Sequence, residues 1–371
     1  LRLTRRASDG PVGVHAAARG RHERSGDHRR LGGLDRWFER DRRGWWGGGS
    51  DERIGQSAED DGARRPGGGC VVISWWKRWA GLKRAGILGM NSRNTERILD
   101  CNPRSCFPLV DGKSTMHNLC QELGVPTPDL YAALGSHHAL RRLPELVAKR
   151  TDFVIKPNRG AGGRGVLVVT GKKGADFVRH NGQLLTADEI EQHVSGILSG
   201  LFSLGGSEDE ALIQQRVVPH PIMTKISYQG TADIRVIVYR EQPVMAMLRL
   251  PTKASGGRAN LHQGAIGAGV DLGTGITHHA VLKNRKAERH PDTGESVIGF
   301  AVPYWPQILD MSRKVSRAVR MGYIGVDIVL DSTRGPLLLE ANARPGLAIQ
   351  ISNAQGLLPP LERVDRERGR R

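Results

Sequence analysis

The chain has 371 residues, enough for one large domain or two to three smaller ones, and its net charge of +17 calls for an anionic partner. The charge is uneven: residues 1–70 hold 15 Arg, 15 Gly and no Lys, and the rest keeps a net +13. Four scattered cysteines (Cys70, Cys101, Cys106, Cys120) form no C-x-x-C pair, no His cluster has zinc spacing and no apolar run spans a bilayer. A zinc module and a membrane-spanning chain are therefore excluded, and a reducing cytoplasm is expected.

Residues 1–70 lack periodic apolar positions and read as a disordered Arg/Gly-rich extension. The chain opens on Leu1, so this segment is expected to lie outside the working protein, with Val71 or Val72 as an alternative start. Residues 71–112 read as an N-terminal helical segment. Within it Trp75 to Trp79 is basic and aromatic: it could lie on an anionic membrane surface, but we favour a helix packed with its Trp side chains buried. Lys113 to Leu123 predicts a helix stopped by Gly124, and Val125-Pro126-Thr127-Pro128 is extended by its prolines. His137 to Lys149 carries a second helical pattern.

Phe153-Val154-Ile155 reads as a strand, and Gly160-Ala161-Gly162-Gly163-Arg164-Gly165 is a literal G-x-G-x-x-G. A dinucleotide fingerprint needs a helix after that loop. Here Val166-Leu167-Val168-Val169 follows, so the spacing predicts strand–loop–strand. Lys156 precedes the glycines, which excludes a Walker loop. A flexible hairpin with open N–H groups, a Lys before it and Arg164 within it suits a triphosphate.

Thr186 to Glu189 is a capping box opening a helix to about Phe202. Ala211 to Val218 reads as a strand, and Asp233 to Leu250 as two strands around a turn at Glu241-Gln242-Pro243. Residues 254–278 read as Gly-rich loop. Trp305 to Met321 predicts an amphipathic helix. Gly325–Leu330 and Leu337–Asn342 predict two strands flanking a turn at 331–335. The fold class is α+β with mostly antiparallel strands.

Glu340 and Asn342 fall two apart on an otherwise Leu/Ala strand, and Asp327 sits mid-strand in an apolar run. Buried strands have no packing use for such groups. A buried polar network or exposed strand faces would explain each alone; three together favour oxygen ligands converging on Mg²⁺, which also takes phosphate oxygens.

With these motifs in order, the sequence resembles the ATP-grasp ligases. The resemblance rests on Asp111-Gly112-Lys113, Lys156 before the Gly-rich hairpin, Asp233-Ile234-Arg235, Asp327 and Glu340-Ala341-Asn342. It covers about residues 72–365. Within that superfamily it is most similar to the alpha-L-glutamate ligase-like proteins, on Leu109 to Lys113, Asn260-Leu261-His262-Gln263-Gly264 and Glu340 to Leu347. The resemblance implies an ATP-grasp fold, with two α+β subdomains (113–220 with the lysines and Gly loop, 221–365 with the metal ligands) gripping ATP.

It further implies Lys113, Lys156 and the loop glycines Gly160, Gly162, Gly163 and Gly165 on the phosphates. Gln214, Gln215 and Val217 would lie along the adenine edge. Arg235 would sit on the reacting phosphate, with Arg249, Asn260 and Arg344 as substrate or acyl-phosphate contacts. Asp327, Glu340 and Asn342 would hold Mg²⁺, with Mn²⁺ as a substitute. The implied reaction is ATP-dependent joining of a carboxylate to an amine through an acyl phosphate, with an amino acid such as glutamate as substrate. Alternatives are a cell-envelope or sugar-linked acceptor and a non-catalytic ATP-binding module. The N-terminal α/β domain of related ligases has no counterpart between Val71 and Lys113. A nucleic-acid partner is not expected, because five Tyr and six Phe offer few stacking platforms. The oligomeric state is not legible.

Overall fold

The structure is a computed structural model that describes residues 80–160, 162–203 and 206–369. The expectations for residues 1–70 and for Trp75–Trp79 lie outside the described residues. From residue 80 to 112 the chain is mainly helical, in short turns that include a π-helical stretch, Arg93–Leu99, and a helix, Phe107–Asp111. Among the described residues no helix is long and apolar enough to cross a membrane.

Helix α1 is Lys113–Glu122, close to the predicted span. Strand β1 (Leu130–Leu134) follows, then a 3₁₀ turn and helix α2, Leu143–Ala148. Strands β2 (Phe153–Pro157) and β3 (Leu167–Lys173) pair antiparallel, so the glycine loop joins two strands. Strands β4 (Asp176–Arg179) and β5 (Leu184–Leu185) extend the hairpin. Helix α3 is Ala187–Leu198. Its capping box is complete: Glu189 N–H donates to Thr186 Oγ1 at 3.2 Å and Thr186 N–H donates to Glu189 Oε2 at 2.8 Å. Strand β6 is Ala211–Gln214, four residues shorter than read from the sequence. These strands form a six-stranded antiparallel sheet in the order β1-β6-β2-β3-β4-β5. Alternation puts Phe153 and Ile155 against Ile190, Val194 and Ile197 of α3, and leaves Val154 and Lys156 on the other face.

A seven-stranded antiparallel sheet forms the other half. It comprises β7 (Asp233–Tyr239), β8 (Gln242–Leu250), β9 (Ile266–Val270), β10 (Thr277–Leu282), β11 (Arg285–Lys286), β12 (Tyr323–Asp331) and β13 (Gly335–Asn342). Their order is β11-β10-β9-β8-β7-β12-β13. Helix α4, Trp305–Val319, packs Ile308, Val315 and Val319 on one face, together with Met116 and Cys120 of α1. Ile234, Val236, Ile324, Val326 and Ile328 form that face. Each such side chain contributes roughly 1.5–3 kcal/mol on burial.

Two turns differ from expectation. Between β7 and β8 the chain turns at Arg240 and Glu241, both at positive φ, one residue earlier than read. Pro243 then lies inside β8, opposite Val238. Pairing of β8 with β9 begins only at Ala246, so the missing Pro243 N–H breaks no ladder on that side. The second difference is larger. The stretch read as a loop over 254–278 contains all of β9 and the start of β10. Glycine has low strand propensity, which hid β9. The structure gives the reason for its glycines: a Cβ at Gly267 would stand 2.3 Å from Ser352 Oγ, and one at Gly269 2.6 Å from Asn353 Oδ1. A helical turn, Ile349–Ser352, thus lies directly on the strand.

The opposite face of the large sheet is divided. Ile237, Tyr239, Met245, Met247 and Tyr323 pack under the 88–98 segment and the C-terminal helix α5, Leu358–Gly369. Two residues further along the same strands, that apolar face becomes the charged one described next.

Candidate functional site

Period-two alternation along β7 carries Asp233 and Arg235 onto the face that continues as Ile237 and Tyr239. Cross-strand register does the rest. Asp233 lies opposite Arg249 on β8, and Arg235 opposite Asp327 on β12. Asp327 lies opposite Glu340 on β13. The last pairing depends on a bulge. Ile328 pairs with Leu338 while Asp327 pairs with Glu340, so Leu339 is an extra residue. Leu338 joins the apolar core; without the bulge Glu340 would follow it there.

The charges pair closely. Arg235 donates from Nε to Asp327 Oδ1 at 2.7 Å and from Nη2 to Asp327 Oδ2 at 2.5 Å. Arg249 Nη2 donates to Asp233 Oδ2 and to Asp327 Oδ2, each at 2.7 Å, and Arg249 Nε to Asp233 Oδ1. Asn342 Nδ2 reaches Asp327 Oδ2 and Glu340 Oε1, each at 3.3 Å. Burial opposes ionisation of Asp327, yet the two guanidiniums hold its carboxyl well below the usual range. Asp233 is pushed up to about 6 by burial and by the neighbouring Asp327 charge, against the pull of Arg249.

Lys156 projects from β2 of the smaller sheet. No hydrogen bond or ion pair to its ammonium is found among the described residues. Burial and the nearby Lys113 charge push its pKa down to about 7, opposed by Glu340 of the large sheet. Lys156 of the small sheet and Glu340 of the large one are thus near enough for their charges to interact. Lys113 opens α1 and donates from Nζ to the carbonyls of Asn158 (3.2 Å) and Gly160 (2.8 Å).

Gly162, Gly163 and Gly165 all have positive φ, as an L side chain rarely can. A Cβ at Gly165 would meet Phe202 at 2.6 Å, which fixes the outgoing end of the loop. Cβ positions at Gly162 and Gly163 lie 3.9 Å from Asn260 Nδ2 and from Arg258 Cδ, so the tip faces the 258–260 loop. Gln214 is buried in β6. Gln215 N–H donates to the Asp129 carbonyl at 2.8 Å, and its side chain takes Arg334 Nη1. Neither Arg216 nor Val217 makes a backbone hydrogen bond among the described residues, so Val217 leaves an open edge.

Arg344 stands apart. It is exposed, with its guanidinium 4.7 Å over the Phe107 ring, and among the described residues no hydrogen bond or ion pair joins it to the charged cluster. His262 is exposed on the loop.

The donor set bears on a metal. Among the described residues no cluster of three His, Cys, Asp or Glu is placed to hold one. The oxygens available are those of Glu340 and the Asn342 amide, hard donors that suit Mg²⁺. Asp327 already accepts four hydrogen bonds and can join them only by releasing an arginine contact.

The sequence reading left Asp233 without a role, though its place two before Arg235 on an apolar strand marks it. It also passed over Asn158, Asp209 and Glu210, which meet only because β2 pairs with β6.

A family model described as sugar-transfer associated ATP-grasp matches residues 92–366. The chain belongs to this family. Its fold is accordingly the ATP-grasp fold, with the two antiparallel sheets as the gripping halves. Solved structures that the ATP-grasp chain resembles include the ATP-grasp ligase PsnB complexed with a minimal precursor, Mg and ADP. That match has 16% identity over 73% of this chain and a TM-score of 0.41, and the chain spans 62% of that protein's length. Another is a D-alanine–D-alanine ligase from Bacillus anthracis complexed with ATP (15% identity, 71% of this chain, 70% of that one, TM-score 0.40). A third is a RimK domain ATP-grasp protein from Sphaerobacter thermophilus (14%, 70% of each chain, TM-score 0.38). A search of curated proteins gave no match.

Proposed function

We propose that this ATP-grasp protein is an ATP- and Mg²⁺-dependent carboxylate–amine ligase. The observation that carries the reading is Lys156, half-buried and without a hydrogen bond or ion pair among the described residues, whose charge is felt by Glu340, next to Asn342 and the two paired arginines. A cation held partly out of water without a partner calls for an anion. A triphosphate supplies it, and the glycine loop offers N–H groups to the same ligand.

In this reading residues 113–220 hold the nucleotide through Lys113, Lys156 and Gly160, Gly162, Gly163 and Gly165, with Gln214, Gln215 and Val217 along the adenine. Residues 221–365 would hold the metal through Glu340 and Asn342, with Asp327 available to it only if an arginine contact were released. When bound, Mg²⁺ neutralises phosphate oxygens and draws charge from the transferring group. Arg235 and Arg249 supply positive charge where the substrate carboxylate meets the γ-phosphate, two anions that otherwise repel. The carboxylate oxygen bonds to phosphorus and ADP leaves. An amine then attacks the acyl carbonyl, and phosphate departs with its bonding pair. No side chain acts as nucleophile. Asn260, beside the loop tip, is a substrate contact. Arg344 is a substrate contact only if it leaves Phe107.

The narrower resemblance favours glutamate-like amino acids as substrates. The family's association with sugar transfer favours a second reading, in which the acceptor amine is sugar-linked. The reaction is placed in the cytoplasm, where ATP is abundant. The test is ADP release with Mg-ATP across amino acids, acidic peptides and amino sugars, beside Glu340→Gln. Release that needs one carboxylate and one amine, and is lost in the variant, supports the ligase and names the substrates. Tight ATP binding with no turnover on any pair supports a non-catalytic module instead.

A further inference from the structure

We propose that Asn158 is a positioning residue that sets Lys113 and the root of the glycine loop as one unit; this deepens the ATP reading above and rests on it. Asn158 is the first residue after β2 and is 5% exposed. Its side chain is used at both ends. Oδ1 accepts from Ser114 N–H at 2.9 Å, at the start of α1. Nδ2 donates to Glu210 Oε2 at 2.8 Å, just before β6. Its backbone N–H donates to the Glu210 carbonyl at 2.9 Å, and its own carbonyl accepts from Lys113 Nζ at 3.2 Å. One buried amide therefore joins the helix that carries Lys113, the strand that carries Lys156 and the neighbouring strand.

The bonds around it extend the clamp. Ser114 Oγ also donates to Glu210 Oε2, at 3.2 Å, and Arg159 N–H donates to both oxygens of Asp209, at 3.1 and 2.9 Å. Among the described residues Gly162, Gly163 and Arg164 are exposed and make no hydrogen bond, and the loop is next tied at Gly165, whose carbonyl meets His193 Nε2 at 3.0 Å. The loop thus has a fixed root and a free tip. Lys113 belongs to the root, because its ammonium is shared between the carbonyls of Asn158 and Gly160. A phosphate oxygen competes with those neutral carbonyls for the same ammonium, so nucleotide binding and release of the root are linked. Asn is the residue this site needs. Asp would set a second carboxylate against Glu210, and an apolar side chain would leave Ser114 N–H and Glu210 without their partner.

The test uses the full chain and two readouts: trypsin cleavage at Arg159 and Arg164 without nucleotide, and affinity for Mg-AMPPNP. Asn158→Asp is expected to speed cleavage and weaken the nucleotide on the order of tenfold, the size of one buried hydrogen bond to a charge. Pairing it with Glu210→Gln reverses donor and acceptor and is expected to restore both readouts to within about threefold. Lys113→Met, which buries no new charge, is expected to speed cleavage in the nucleotide-free protein. Unchanged cleavage in both single variants, or a paired variant no better than Asn158→Asp alone, would overturn the proposal. If Asn158→Asp fails to fold, cleavage of Lys113→Met decides it. If wild type does not bind AMPPNP, the ATP reading falls, and the cleavage rates still decide the role of Asn158.

Discussion

The two sheets that carry the candidate site solve the same electrostatic problem in opposite ways. On the large sheet, Asp233, Arg249, Asp327 and Arg235 alternate in sign across three adjacent strands, each neutralised by its neighbour. On the small sheet, Lys156 feels another cation, Lys113, and among the described residues the charge that opposes it is Glu340 of the large sheet. The first face is assembled in advance. The second is left short of negative charge and, in the proposed reading, takes it from the nucleotide. Preorganised charge on one side and an electrostatic vacancy on the other is an arrangement that captures an anion.

The largest expected effect breaks the paired side. Arg249→Met strands the buried Asp233 and takes one of two guanidiniums from Asp327, and loss of one partner from such a network costs about 3–5 kcal/mol. Urea unfolding checks it; a cost below about 1 kcal/mol would show that the cluster is not held by its pairing.

Lys156→Met should have the opposite sign. The folded pKa of Lys156 lies near 7, below its ordinary value, so the unfolded chain binds more protons between pH 7 and about 10. Wild-type stability therefore gains from this group as pH rises through that window, and the charged form is penalised below it. Removing the charge should stabilise the nucleotide-free protein at pH 6 by about 1–3 kcal/mol, with the difference shrinking toward pH 9, while nucleotide binding is lost. Thermal melts of both proteins across pH 6–9 read it directly. A variant that is less stable at pH 6 would mean that Lys156 already has a partner.

Smaller still is Thr186→Ala, which removes the cap of α3 behind the small sheet and should cost about 1 kcal/mol without changing nucleotide affinity. A matching fall in affinity would show that α3 transmits to the loop through the His193 contact with the Gly165 carbonyl at 3.0 Å.

The same contrast explains what was legible in the sequence. Polar groups on apolar strands stand out, so Asp327, Glu340 and Asn342 could be picked from their pattern, while Arg235 came only from the family resemblance. The strand–loop–strand form of the glycine loop followed from the β-branched run after it. Three things stayed hidden. Strand β9 reads as loop because its glycines serve a helix packed on it, a contact with residues more than 80 positions away. The bulge at Leu339, which turns Glu340 away from the core, has no mark in Leu337-Leu338-Leu339. The Asn158–Glu210 pair spans 52 residues and exists only through strand pairing. The position of Arg344, which the resemblance implies as a substrate contact, was also not legible: the strand ends at Asn342 and its guanidinium lies over Phe107.

The most direct test of the account is the proton balance of nucleotide binding. Mg-AMPPNP is titrated calorimetrically at pH 8 in two buffers of different ionisation enthalpy, with wild type and Lys156→Met. If Lys156 is the vacancy that a triphosphate fills, its pKa rises from about 7 on binding and wild type takes up about one proton. Binding to wild type with no proton uptake, or uptake that persists in Lys156→Met, would contradict it.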